Sequence, residues 1–143
     1  HSAGGHLAAM MIARAWRGDG FDAHQVAGAV SLSGVHDLTP MVRFSYNVDL
    51  KLDVAEAARL SPAMLEPATD APLVLAVGGA ETSEFLRQSE LLWDAWPRNR
   101  PSGWRGPLSV PGKHHFDVVL EHADEGSSLT RATFALFEGA RAG

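Results

Sequence analysis

Apolar residues recur along the chain at two spacings, one typical of helices and one typical of strands. From Ala3 to Trp16 they recur at near-helical intervals, which predicts a helix that begins almost at residue 1 and ends before Gly18-Asp19-Gly20. Residues 26–32 are mostly small or β-branched, which predicts a short strand buried on both faces. The chain therefore opens with a helix that is followed by a strand.

The second half of the chain repeats this alternation. Residues 72–79 have the clearest strand pattern, and residues 83–96 have the pattern of an amphipathic helix. Residues 107–110 predict a shorter strand, which is followed by the loop 111–115 and a final helical region. Strands that alternate with helices predict a parallel α/β sheet. The last part of the final helical region contains Leu129, Phe134 and Phe137.

The stretch between Val35 and Pro72 is irregular. Its pattern predicts short helical pieces around residues 39–44 and 54–59, which prolines interrupt. Three predicted strands are few for a parallel sheet, and the first helix has no strand before it. We therefore expect residues 1–143 to be one partial domain, whose missing strand lies just before His1.

The amino-acid composition limits which partners and which catalytic groups the protein can have. A formal net charge of -5 and the lack of clustered Lys and Arg argue against a nucleic-acid partner. With zero Cys there is no thiolate nucleophile or thiolate metal site, so covalent chemistry must fall to Ser, Thr, Lys or a carboxylate. No apolar run is long enough to predict a membrane span. The expected partner is a small-molecule substrate.

Ser2 is the first candidate nucleophile. The run His1-Ser2-Ala3-Gly4 matches all but the first glycine of Gly-x-Ser-x-Gly, a sharp strand-to-helix turn that exposes a serine oxygen. At the start of a helix, the N–H of Ala3 could stabilise an oxyanion. Serine is also a common helix N-cap, so the tetrapeptide alone does not separate a nucleophile from a cap.

The first six residues resemble the nucleophile elbow of the α/β-hydrolase family. An ordered set of further fragments resembles the kynurenine formamidase (arylformamidase) group and its esterase relatives, from Ser2 to about Leu120. These fragments are residues 33–40, Asn47, Leu50, Leu52, Glu56-Ala57, Leu60-Ser61-Pro62, Glu84-Phe85, Gln88-Ser89 and His115-Phe116.

This resemblance implies the C-terminal half of an α/β-hydrolase fold, with the N-terminal strands missing. It also implies a serine hydrolase that needs no cofactor and acts on an N-formyl aromatic amide, such as N-formylkynurenine in tryptophan catabolism, or on a small carboxylic ester. We expect a cytoplasmic protein that could form a homodimer, with neither nucleic acid nor membrane as a partner.

The acid of such a hydrolase follows a later strand, and the histidine follows the acid. Glu81, just beyond the predicted strand ending near Gly78, is the favoured acid, although the formamidase group usually has aspartate there. Glu84 is the alternative on that loop, but it follows a predicted N-cap, Ser83, and suits a first-turn carboxylate. Asp37 is a third candidate, which the resemblance makes a loop-ordering residue.

Among seven histidines, position selects His115 as the general base. It lies on the loop after the last strand and matches the His-Phe pair of the formamidase group. His114 is its competitor and is expected at the pocket rim, because only one of two adjacent side chains can point inward. His122 is expected on a helix surface. No close cluster of histidines and carboxylates predicts a metal site.

A different class of function is a noncatalytic remnant or binding module. The second oxyanion donor of these hydrolases usually comes from an early His-Gly-Gly-type loop, and this sequence contains no such loop. Because candidates for all three catalytic residues occur in order, the sequence favours part of an enzyme whose activity requires the missing N-terminal region.

Overall fold

A computed structural model of the chain describes residues 1–14 and 25–141, with side chains described up to Glu138. Short 3-10 helices occupy Thr39–Arg43, Pro62–Met64, Pro97–Asn99 and Val118–Ala123. The strands are β1 (Ala29–Leu32), β2 (Leu73–Gly78) and β3 (Leu108–Val110). The α-helices are α1 (Ala3–Ala13), α2 (Asn47–Leu50), α3 (Val54–Arg59), α4 (Ser83–Ala95) and α5 (Ser128–Arg141).

The three strands form one parallel sheet in the order β1-β2-β3. Leu32 of β1 is paired with Ala76, and Gly78 is paired with Val110 of β3. The carboxyl ends of all three strands therefore lie along one edge, and the loops that leave these ends are neighbours. This arrangement confirms the predicted parallel α/β architecture.

Apolar clusters cover both faces of β2, which is buried at all six positions. Successive residues of a strand point to opposite faces, so Leu73 and Leu75 lie on one side and Ala76 on the other. The first side packs against Ala9, Ile12, Leu92, Trp93 and Trp96 of the region around α1 and α4. The second side belongs to a cluster with Leu32, Val110, Val118 and Leu129.

Two glycines allow α1 to approach β1 closely. A Cβ atom on Gly5 would lie 2.9 Å from the Cα atom of Gly34 and 2.8 Å from Oγ of Ser31. Both contacts are too short for any side chain. Gly5 therefore belongs to a tightly packed first turn, which holds the start of α1 against the carboxyl end of β1.

Several boundaries differ from the sequence-based predictions. β1 begins at Ala29 rather than at residue 26, and its first two residues are only partly buried, so the prediction of a strand buried on both faces was wrong for that half. The short helix α2 was not predicted, because it buries none of its residues and so leaves no apolar periodicity. In α5, Leu129 is buried, whereas Phe134 and Phe137 are exposed. α1 ends at Ala13, because Arg14 is already extended, so the prediction that this helix continues to Trp16 was wrong. Trp16 and Gly18-Asp19-Gly20 themselves lie outside the described residues.

Within the described ranges, no helix is both long enough and apolar enough to cross a membrane.

Candidate active site

The loops at the carboxyl edge of the sheet bring together Ser2, Glu81 and His115. Ser2 lies at the start of α1, Glu81 follows β2, and His115 follows β3. The side chains form one hydrogen-bonded chain in the order Ser2, His115, Glu81.

Ser2 has an unusual backbone conformation, with φ 56° and ψ -119°. Non-glycine residues rarely adopt positive φ values, and such strained residues concentrate at functional sites. The N–H of Ser2 donates to the carbonyl of Leu32 at 2.9 Å, which fixes the turn against the end of β1. Ser2 occupies the N-cap position, but its side chain makes no capping hydrogen bond. Its hydroxyl is therefore not used as a helix cap.

His115 links the other two residues through its two ring nitrogens. Nε2 lies 3.1 Å from Oγ of Ser2, and Nδ1 lies 2.7 Å from Oε2 of Glu81. The carboxylate assigns the proton to Nδ1, because an ionised carboxylate can only accept. Nε2 is then the acceptor for the Ser2 hydroxyl, which is the arrangement that a general base requires.

The Glu81 carboxylate is fully buried and both of its oxygens are occupied. Oε2 faces His115, while Oε1 accepts from the N–H of Gly78 at 2.8 Å and from the hydroxyl of Ser33. Buried carboxylates are stable as anions only when such donors replace water. Sequence reasoning did not identify Ser33 or Gly78, because both contacts depend on which loops meet at the sheet edge.

Aromatic rings surround the His115 imidazole. Phe85 of α4 stacks on it with ring centroids 4.1 Å apart, and His1 lies 4.6 Å away. Phe116 meets it edge-on at 5.4 Å and is 81% exposed. The exposed Phe116 ring therefore forms an apolar rim beside the base. The helix pattern indicated that Phe85 is apolar, but only the structure brings its ring onto His115.

The His114 side chain contacts residues of its own loop. Its Nδ1 accepts from the N–H of Phe116 at 3.1 Å and lies 3.4 Å from Oδ1 of Asp117. The side chain is mostly exposed, as expected for a rim residue. His122 is also exposed, on the 3-10 helix Val118–Ala123.

The Glu84 carboxylate is hydrogen-bonded to neighbouring side chains of α4. It accepts from Arg87 at 2.7 Å and from the Gln88 amide. The Arg87 hydrogen bond is the largest influence on the Glu84 pKa and lowers it from the usual value, against a smaller opposing effect of burial. Glu84 lies in the first turn, as predicted, but the N-cap is Thr82 rather than Ser83, because Ser83 is already the first residue of α4.

Asp37 orders its own loop. Oδ1 accepts from the backbone N–H and the hydroxyl of Thr39, and Oδ2 pairs with Arg87 at 3.3 Å. Burial is the largest single influence and would raise the Asp37 pKa, but the hydrogen bonds from Thr39 and Arg87 together outweigh it and lower the pKa from its usual value. Neither this carboxylate nor that of Glu84 contacts His115 among the interactions of the described residues.

Ala3 is the first residue of α1, so its N–H has no acceptor within the helix. The next N–H, that of Gly4, donates to the carbonyl of His1 at 2.8 Å. The Ala3 N–H is thus adjacent to the Ser2 hydroxyl and available to an incoming oxygen. In the ranges that the structure describes, no group of three histidines or carboxylates could hold a metal ion.

This fold and this site define a class, an α/β fold of the hydrolase type, and the comparisons agree with it. A solved structure from Silicibacter sp. TM1040, provisionally described as a thioesterase, matches with a TM-score of 0.72 and 34% sequence identity. The match covers 92% of this chain and 47% of that one. No family model matches the chain.

Two curated relatives indicate a more specific group within this class. The chain is 33% identical to a kynurenine formamidase from Salmo salar and 30% identical to one from Danio rerio, in each case over 92% of its length. It covers 46% and 45% of these proteins, so it spans about half the length of the curated relatives that it matches. The resemblance to the kynurenine formamidase group is thereby confirmed.

Proposed function

We propose that this protein is a serine hydrolase that works by acyl transfer. Ser2 is the nucleophile, His115 is the general base, Glu81 holds the imidazole, and the N–H of Ala3 is one oxyanion donor. The observation that carries the proposal is the continuous hydrogen bonding from Ser2 Oγ through His115 to Glu81, at 3.1 Å and 2.7 Å. The 3.1 Å distance allows the proton of Ser2 Oγ to pass to His115. The 2.7 Å distance allows Glu81 to hold the imidazole in place.

The reaction proceeds in two halves. Ser2 Oγ attacks the substrate carbonyl carbon while its proton passes to Nε2 of His115, and the carbonyl oxygen becomes an oxyanion beside Ala3 N–H. The tetrahedral intermediate then collapses, His115 donates the proton to the departing nitrogen or oxygen, and an acyl-enzyme remains. Water then attacks the ester carbonyl while one of its protons passes to His115. The bond between the acyl carbon and Ser2 Oγ breaks, His115 returns the proton to Oγ, and the acid leaves.

The substrate we propose is an N-formyl aromatic amide of the N-formylkynurenine kind, with a small carboxylic ester as the second candidate. The names of the curated relatives support the first, and the exposed Phe116 ring beside His115 gives an aromatic leaving group a surface to stack on. Formamide hydrolysis would belong to tryptophan catabolism. A cytoplasmic location and a homodimer belong to this proposal.

The competing proposal is a noncatalytic remnant or binding module. Ala3 accounts for one oxyanion donor, and the chain spans about half the length of its curated relatives. We therefore propose that turnover also uses a second oxyanion donor. This donor would come from a segment equivalent to the part of the relatives that the match does not cover. An inactive protein with an intact Ser2–His115 contact would favour the remnant.

A fluorophosphonate probe tests the proposal, because it reacts covalently with an activated serine and needs no knowledge of the substrate. The full-length protein should be labelled, and Ser2→Ala should not be. Ser45→Ala is the matched control, since Ser45 is exposed and should leave labelling unchanged. Labelling that persists in Ser2→Ala would contradict the nucleophile. The ratio of kcat/KM for N-formylkynurenine and for a p-nitrophenyl ester then separates formamidase from esterase.

A further inference from the structure

Ser33 is a buried serine in a strained conformation, directly after β1. Its φ of 50° lies in the left-handed region, and the residue is completely buried. Its N–H donates to the carbonyl of Ala76 at 2.7 Å, which ties the turn to β2. Its hydroxyl donates to Oε1 of Glu81.

The turn itself does not require serine at this position. Glycine adopts positive φ without steric cost, whereas a residue with a Cβ atom is strained there. Strain of this kind persists only where the surrounding structure holds the residue in place, and it is concentrated at functional sites. The group that serine adds and glycine lacks is the hydroxyl, and that hydroxyl contacts Glu81.

Glu81 depends on such anchoring for its orientation. Its side chain is completely buried, and among the described residues no lysine or arginine forms an ion pair with it. Oε1 is held between Ser33 and the N–H of Gly78, so the carboxylate plane is fixed and Oε2 is directed at His115. Glutamate has one more rotatable bond than aspartate, so a second hydrogen bond is needed to restrict the orientation of its carboxylate.

We propose that Ser33 is a positioning residue that orients the Glu81 carboxylate towards His115. This inference rests on the proposed function, because it acts through the same acid and base. The Ser33 hydroxyl donates to Glu81, and among the described residues Ser33 forms no hydrogen bond with Ser2. Its effect should therefore appear in the rate of the chemical step rather than in the binding of the substrate.

The decisive variant is Ser33→Gly, which removes the hydroxyl and also relieves the strained φ. A purely structural role predicts that glycine is tolerated or beneficial. A positioning role predicts a thermal midpoint at or above that of the wild type together with slower chemistry. We expect the maximal rate of fluorophosphonate labelling, kinact, to fall about 10- to 100-fold, the range expected for losing a hydrogen bond to a charged group. The probe's half-saturation concentration, KI, should change less than about twofold.

Two further variants serve as controls. Ser33→Ala removes the hydroxyl but keeps the strain, so it should lower kinact to a similar extent. Lys51→Gly relieves a comparable φ of 56° at the exposed residue that directly follows α2, and kinact should stay unchanged. If neither Ser33→Gly nor Ser33→Ala folds, Ser33→Cys decides, because it keeps nearly the same shape with a weak donor and should also slow labelling.

A double-mutant cycle separates action through Glu81 from other effects. In a Glu81→Gln background, Ser33→Gly should change kinact less than about twofold. An equal loss in both backgrounds, or unchanged kinact in a folded Ser33 variant, would overturn the inference. A wild-type protein that is not labelled at all contradicts the proposed function instead.

Discussion

The hydroxyl oxygen of Ser2 lies 3.1 Å from Nε2 of His115, although 113 positions separate the two residues along the chain. Parallel pairing of three strands brings their carboxyl ends to one edge, and each partner of this contact lies next to that edge. The contact therefore depends on the sheet as a whole, and changes in the supporting loops should affect it as much as changes in the residues themselves.

Ser2→Gly should stabilise the protein while abolishing covalent labelling. Glycine adopts the observed φ of 56° without strain, so the free energy of unfolding should rise by about 1 kcal/mol. Ser2→Ala is the matched control, because it also removes the hydroxyl but keeps the strain. Urea unfolding of both variants measures the difference. A Ser2→Gly protein no more stable than Ser2→Ala would contradict a strained turn.

Glu81→Gln should lower kcat by about 10²- to 10⁴-fold, because an amide cannot stabilise the imidazolium that forms on His115. Its matched control is Glu84→Gln, which alters an exposed carboxylate paired with Arg87 and should leave kcat within about twofold. Steady-state kinetics on one substrate compares the two. The reverse result would make Glu84 the acid and would conflict with the Nδ1–Oε2 contact.

Gly78→Ala should weaken both the fold and the activity. The new Cβ atom would lie 2.9 Å from the carbonyl carbon of Lys113 and 3.1 Å from Cγ of Glu81, so the loop carrying His115 must move. Overpacking of this kind costs about 1–3 kcal/mol of stability. Gly106→Ala is the control, since nothing lies within 4 Å of its Cβ position. Thermal midpoints and kcat should fall together in the first variant and stay near wild type in the second.

Phe116→Ala should raise KM for an N-formyl aromatic amide by about 2- to 10-fold, the value of one aromatic contact. An aliphatic ester without a ring should show little change. Phe134→Ala removes an equally large exposed ring from α5 and should leave both KM values unchanged. Equal effects of Phe116→Ala on the two substrates would argue against aromatic recognition by this ring.

The stability of the fold should decrease as the pH falls from about 6.5 towards 3. Burial, and secondarily the charge of His6, lowers the pKa of His36 from 6.5 to about 3, so the folded state holds this imidazole neutral. The unfolded chain binds the extra proton in this window, which lowers the free energy of unfolding by at most about 1.4 kcal/mol per pH unit. Above pH 6.5 the contribution of the neutral His36 to the free energy of unfolding is fully present.

His36→Gln should flatten that pH dependence, because glutamine does not titrate. Urea unfolding at several pH values gives the slope for each protein. His122→Gln, at an exposed histidine, should keep the wild-type slope. Parallel curves for wild type and His36→Gln would show that other groups cause the acid sensitivity.

The sequence by itself determined the order of helices and strands and the loops that could carry the chemistry. Apolar periodicity is a local property, so the strand near residues 73–78 and the helix α4 were predicted within one or two residues. The turn at Ser2 could be predicted from the sequence, because a sharp strand-to-helix turn requires small residues on either side of the serine. Exposed short elements such as α2 were missed, since they bury no apolar face.

Only the tertiary structure decided which side chains meet. Glu81, Glu84 and Asp37 were all possible acids in the sequence, but Arg87 binds the last two and leaves Glu81 facing His115. The contact between Ser33 and Glu81 has no local signature, because it joins the ends of two strands. Local patterns specify elements, whereas the register and close approach of parallel strands specify the distances between the loops that follow them.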